Sequence, residues 1–282
     1  MHPEAENPAY WGGQPLEKLV QVFCPEEKWA LLSRAVYVVG EEDFTVLMSG
    51  GVHSPPEQLC HKGRRFRQYG LGIVTVGQTG APDNIRSARF YSKDLPERLR
   101  YRNVAVLDTF DLFDKVPIIH YGSSLEAISA AATASLPQVK GLILVNPAGV
   151  VKQSRLRAGW CFVREMRTRG DPADFAPTPK QTVERKQLLH QMLSGLSPLL
   201  RCIASDETVK LLKQVEVPTI VFSGTEDRLF PLTKVQRALE HLPHVKVVPA
   251  LGFIHSDPNT ASKVDWLVTE SMRWFAEKGV VH

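Results

Sequence analysis

Residues 217–255 constrain this chain more than any other stretch. Val217-Pro-Thr-Ile-Val-Phe-Ser223 is short, apolar and β-branched, the composition of a buried strand. It runs into Gly224-Thr-Glu-Asp227-Arg-Leu-Phe-Pro231, a turn that leaves a carboxylate at the strand's C-terminal edge. A helix is predicted over 232–242 and a second strand over 244–251, which ends in Gly252-Phe-Ile-His255. Two parallel strands joined by a helix place Asp227 and His255 on one rim of a sheet. There a carboxylate can hold an imidazole in one tautomer, ready to take a proton from a nucleophile.

The rest of the chain supplies more of the same sheet. Strands are predicted over 35–40, 44–48 and 72–77, and a short amphipathic helix over 16–23. A crossover helix over 94–113 precedes the strand that begins at Val116. That strand reads Val116-Pro-Ile-Ile-His-Tyr-Gly122-Ser123-Ser124-Leu125-Glu126 and enters an alanine-rich helix over 127–134, with a further strand over 139–147. Strand and helix in alternation make a mainly parallel sheet with right-handed crossovers. Between Ala148 and Gln214 strands vanish, and helices are expected over 156–168, 179–193 and 198–212. This interval holds twice as many Lys and Arg as Asp and Glu, among them Lys152, Arg155, Arg157, Arg164, Arg167 and Arg169. Such a run is ordinarily a solvated face, and its functional alternative is attraction of an anionic substrate or acidic surface.

The pattern Gly224-x-x-Asp227-x-x-x-Pro231, then Gly252-x-x-His255 and an amphipathic helix over 261–278, resembles the α/β-hydrolase superfamily, and the resemblance extends upstream through most of the chain. It implies an α/β fold, a mainly parallel sheet flanked by helices, with a core from 1–147 and 215–282 and a helical cap inserted at 148–214. In that family the triad runs Ser, Asp, His, and the serine sits in a G-x-S-x-G turn between strand and helix. Three registers fit the segment here. Ser124 as nucleophile has Gly122 at the first small position and Glu126 at the second; Ser123 has Tyr121 and Leu125 there; a third register puts Gly122 itself at the nucleophile site, with no hydroxyl. Ser124 is the preferred register, with Ser123 the alternative nucleophile. It also sets Ala127, Ala130 and Ala134 along the sheet-facing side of the helix.

The resemblance further implies an oxyanion hole made by two backbone N–H groups. One belongs to the residue after the nucleophile, Leu125. The other comes from the loop after the strand over 44–48, where Ser49-Gly50-Gly51-Val52-His53 offers Gly51 or Val52, with serine in place of the family's common histidine. The loop Gln78–Asp83 resembles the family's glycine-containing loop after the next strand, without its frequent aspartate. Each part has a plainer interpretation: the serines as a helix N-cap, Asp227 as an Asx-turn residue, the glycines as a turn. Taken together, in the required order, they point to catalysis.

The expected activity is therefore hydrolysis of an ester or related carbonyl compound by Ser124, His255 and Asp227 through an acyl-enzyme, with no cofactor and no metal. A small-molecule substrate is implied, with an anionic one suggested by the cationic cap. The alternative is a catalytically impaired binding or scaffolding protein of the same fold, which Glu126 and Ser49 favour. At 282 residues and 43% hydrophobic content the chain suits one α/β domain with an insertion. No secretory signal is expected at the polar start, and the longest apolar stretch, 141–151, is too short to span a bilayer. Cys24, Cys60, Cys161 and Cys202 have no metal-like spacing and read as reduced thiols of a cytoplasmic protein, with a Cys24–Cys60 approach left open. The basic segment has little aromatic interleaving, which argues against nucleic-acid binding.

Overall fold

The computed structural model describes residues 16–24, 29–38, 43–50, 56–76, 95–168, 200–255 and 260–281. Its strands are β1 (Leu16–Cys24), β2 (Trp29–Val38), β3 (Thr45–Ser49), β4 (Gly72–Val76), β5 (Ile118–Ser123), β6 (Val139–Val145), β7 (Thr219–Gly224) and β8 (Val245–Ala250). They form one eight-stranded sheet in the order β1-β2-β4-β3-β5-β6-β7-β8. The pairs β1–β2 and β2–β4 are antiparallel, and every pair from β4–β3 to β7–β8 is parallel. The helices are α1 (Pro56–Arg67), α2 (Leu95–Thr109), α3 (Glu126–Thr133), α4 (Arg155–Thr168), α5 (Glu207–Leu212), α6 (Leu232–Leu239) and α7 (Ala261–Glu277).

The alternation of side chains along each strand splits the core into two layers. Ile118, Leu142, Leu144 and Val221 pack with α2, α3, α5 and α6 on one face. Ile119, Tyr121, Ile143, Val145, Ile220 and Phe222 pack with α1 and α7 on the other. Both faces are covered, so β3, β4 and β7 are buried along their whole length, as expected of parallel strands. The alanines of α3 let that helix lie close on the sheet: a Cβ added at Gly122 would stand 2.9 Å from that of Ala130.

Residues 16–23 are a correction to the expected amphipathic helix. They lie in β1, whose ladder to β2 runs without a break from Leu16↔Tyr37 to Cys24↔Trp29. Val20-Gln-Val22 already carries the period of two and the β-branching of a strand, and a partner strand outweighs the weak helical spacing of Leu16, Leu19 and Val20. The crossover helix is also shorter than 94–113: it stops at Thr109, and Asp111 and Asp114 follow with positive φ. In the interval 148–214, α4, a helical turn at 200–203 and α5 are described, and the expected helix over 179–193 lies outside the described residues. No helix among the described residues is long and apolar enough to cross a membrane. Cys60 is buried with its sulfur 3.2 Å from Thr75 Oγ1, and it is in no disulfide.

Candidate functional site

The parallel strands all end on one rim. Ser49 of β3 is level with Gly122 of β5, Ser123 with Val145 of β6, Val145 with Phe222 of β7, and Gly224 with Ala250 of β8. The segments leaving that rim carry the predicted site residues.

Ser124 sits at the sharp turn between β5 and α3, with φ of +54°, a left-handed backbone that an L-residue adopts only when its surroundings impose it. Here the Ser124 N–H donates to Val145 O at 2.9 Å, and Ser124 O accepts from Ala127 and Ala148. The turn is too tight for a side chain at Gly122, whose added Cβ would lie 2.4 Å from Glu126 O. The serines do not cap α3: Leu125 occupies that position and the helix has no side-chain cap.

The Ser124 hydroxyl lies 2.8 Å from His255 Nε2, and His255 Nδ1 lies 2.9 Å from Asp227 Oδ2. A carboxylate can only accept, so Nδ1 carries the proton and Nε2 is left to accept from the Ser124 hydroxyl. Asp227 is buried, with its other oxygen accepting from the Leu229 and Phe230 N–H groups at 2.8 and 3.0 Å. It is thus a turn residue and the imidazole's partner at once. Glu226, its neighbour, is exposed. The Phe230 ring meets the His255 ring edge-on at 5.3 Å and closes one side of it. Ser123 is paired with the Tyr121 phenol, whose ionisation is pushed up chiefly by burial. Of the expected backbone donors, Leu125 is buried at the start of α3, and Gly51 and Val52 lie outside the described residues. The same holds for the 78–83 loop. Among the described residues no group of three or more His, Cys, Asp or Glu side chains is placed to hold a metal ion.

Glu126 stands at the second small position of the turn, where it reads from the sequence as a mark of an impaired site, and its carboxylate is matched by a partner. It is buried, and Arg102 of α2 grips it with both arms, Nη1 to Oε1 at 2.9 Å and Nη2 to Oε2 at 2.6 Å. Arg102 also donates to Asn103 Oδ1 and to Ser129 Oγ. A long 3.5 Å contact joins its Nη2 to Ser49 Oγ. From Ser49 the network continues to His120 Nε2 at 3.1 Å, and from His120 Nδ1 to Thr133 Oγ1 at 2.5 Å. Thr133 donates its hydroxyl to main-chain carbonyls of α3, so it must accept from Nδ1–H, and Nε2 then accepts from Ser49. That fits a neutral imidazole, and burial, with the nearby Arg102 charge, holds His120 down at about 3.

One residue of this site escaped the sequence reading. Asn146, the first residue after β6, is buried with φ of +45°. Its Nδ2 donates to Ile254 O at 2.8 Å and His255 O at 3.1 Å, and its Oδ1 accepts from Gly224 N–H at 2.8 Å. It therefore ties the loop bearing His255 to the strand end bearing Asp227. Its signal was Asn-Pro at the end of a buried strand, which marks a turn and no more.

No protein-family model and no curated protein matches the sequence. Solved structures do match in shape. A bromoperoxidase from Bacillus anthracis aligns at a TM-score of 0.68 with 11% identity, covering 92% of this chain and 100% of its own. An esterase from Exiguobacterium antarcticum aligns at 0.63 with 13% identity, over 92% of this chain and 100% of its own. A Pyrococcus furiosus esterase aligns at 0.62 with 13% identity, over 96% and 93%. These neighbours share the α/β-hydrolase fold, and at such identities the likeness establishes the fold alone.

Proposed function

We propose that this chain, which has the α/β-hydrolase fold, is a serine hydrolase acting on an ester or related carbonyl compound. The observation that carries the reading is the continuous line Asp227 Oδ2, His255 Nδ1, His255 Nε2, Ser124 Oγ, with steps of 2.9 and 2.8 Å. In the first step Ser124 Oγ attacks the carbonyl carbon while its proton passes to Nε2, and the carbonyl π pair moves to oxygen as an oxyanion. The Leu125 N–H and a donor from Gly51 or Val52 hold that oxyanion. Collapse expels the alkoxide, which takes the proton from Nε2, and leaves the acyl group on Ser124. Water then attacks, deprotonated by the same imidazole, and the acid is released. Asp227 stays ionised and stabilises the imidazolium formed in each half-reaction.

The esterases among the structural neighbours agree with this chemistry at the level of fold. The interval 148–214 is the proposed cap, and the exposed Lys152, Arg155 and Arg157 at the start of its described part suit an anionic small-molecule substrate. The rival reading, a binding protein that keeps the fold without the chemistry, drew on Glu126. That carboxylate is neutralised by Arg102, so it gives the rival no support.

A fluorophosphonate probe tests the proposal. Wild-type protein and Ser123→Ala should take up one label per chain and hydrolyse a simple aryl ester, whereas Ser124→Ala should do neither. Labelling that follows Ser123, or that survives both substitutions, refutes the assignment.

A further inference from the structure

A buried ion pair whose carboxylate is the first residue of α3 is an expensive way to fill space. Taking two charges out of water costs several kcal/mol each, and apolar residues of the same volume are often equally stable there or better. Arg102 and Glu126 are nonetheless almost wholly shielded, at 0% and 2% side-chain exposure. Stability alone does not account for the pair, and its geometry offers another reason.

We propose that Arg102 is a positioning residue that sets the Leu125 N–H half of the oxyanion hole. Glu126 directly follows Leu125, whose N–H is one proposed donor. One guanidinium on α2 holds Glu126 in a two-armed grip at 2.6 and 2.9 Å. Its second hold, on Ser129 at 3.1 Å, lies one turn further along α3. Fixed at two successive turns, that helix cannot roll, so the direction of the Leu125 N–H is set. The same guanidinium makes a longer contact of 3.5 Å with Ser49 of β3, level with Gly122. The planar fork of arginine makes these contacts at fixed angles, which the point charge of a lysine cannot do. The inference rests on the hydrolase reading above and adds a residue that never touches substrate.

The test separates positioning from stability with an aryl trifluoromethyl ketone. Ser124 Oγ adds to its carbonyl carbon, the serine proton moves to His255 Nε2, and the carbonyl π pair becomes an oxyanion seated in the hole, so its affinity reports the hole directly. Arg102→Lys should lower kcat for an aryl ester, and raise the inhibition constant of the ketone, by the same factor of roughly 10 to 100 with KM unchanged, since a displacement near 1 Å costs about that much. Thr133→Val, at the far end of the same network, should lower the melting temperature and leave the ketone's constant at the wild-type value. If Arg102→Lys does not fold, Ser129→Ala, which frees the second hold on α3, carries the test, with an expected rise of about tenfold in the ketone's constant. A folded Arg102→Lys with the wild-type constant overturns the inference. So does a rise shared equally by KM, or a Thr133→Val protein that weakens the ketone as much as Arg102→Lys does. A wild-type protein that forms no adduct with ketone or phosphonate overturns the hydrolase reading and this inference together. An adduct in wild type that Arg102→Lys leaves untouched overturns this inference alone.

Discussion

Asn146→Ala should disable the site without touching any reacting atom. The substitution removes three hydrogen bonds, those to Ile254 O, His255 O and Gly224 N–H. At about 1 kcal/mol net for each, the loss is roughly 3 kcal/mol, and the Gly224 N–H is then left buried and unpaired. The backbone adds to this: φ is +45°, and alanine tolerates the left-handed region less well than asparagine, by about 1 kcal/mol. Asn146→Gly has the same three losses and no backbone penalty. The alanine variant should therefore be the less stable by about 1 kcal/mol, and both should melt well below wild type, by about 6 to 10 °C at ~2 °C per kcal/mol. With the His255 carbonyl released, the imidazole wanders from Ser124, and kcat should fall by roughly 10- to 100-fold at 25 °C, where both variants remain folded. Thermal denaturation followed by circular dichroism and ester turnover measure the two effects. Variants that melt within a degree of wild type, or a glycine variant less stable than the alanine one, would refute the reasoning.

The carboxylate register can be tested by comparing neighbours. Asp227→Asn should reduce kcat by up to ~10⁴, because the amide can hold the wrong imidazole tautomer, whereas Glu226→Gln, at an exposed position, should stay near wild type; a larger loss at Glu226 would move the acid by one residue. His120 makes the fold acid-sensitive. Its folded value of about 3 lies below the ~6.5 of an unfolded histidine, so between the two the unfolded chain binds a proton that the folded chain does not, and stability falls as pH falls through that window. At pH 5 the deficit is about 2 kcal/mol relative to pH 7.5, and urea unfolding of His120→Gln should show an acid loss smaller by about that amount. An acid loss equal to wild type would mean that His120 does not titrate across unfolding.

What could be read from the sequence was the part written contiguously. The 217–255 unit announces each of its pieces within a few residues, and β7, α6, β8 and the turns at Asp227 and His255 lie within a residue or three of where they were expected. The elbow was readable for the same reason. The rest depends on partners far along the chain. β1 is a strand because β2 is there to pair with it. Arg102 and Glu126 are 24 residues apart, and nothing local marks either as half of an ion pair. Asn103, a flaw in the helical pattern of α2 when read alone, is buried and donates to Ser129. Asn146 reads as a strand terminator, and only the loops from β7 and β8 give it its hydrogen bonds.

The departure from G-x-S-x-G also becomes intelligible in physical terms. The two small positions of that pattern are not equivalent here. At Gly122 the obstacle is main chain, since an added Cβ would meet Glu126 O at 2.4 Å and Glu126 C at 2.9 Å, and no change of side-chain neighbours would relieve it. At Glu126 the constraint comes from the neighbouring elements. Its side chain leaves the turn toward α2, where the alternatives are close packing or a chemical match, and Arg102 supplies the match. Glycine is therefore required two residues before Ser124. After it, a carboxylate is admissible because a guanidinium waits on the adjacent helix, and the two residues must change together: removal of either alone leaves a buried charge unpaired, at about 3 to 5 kcal/mol.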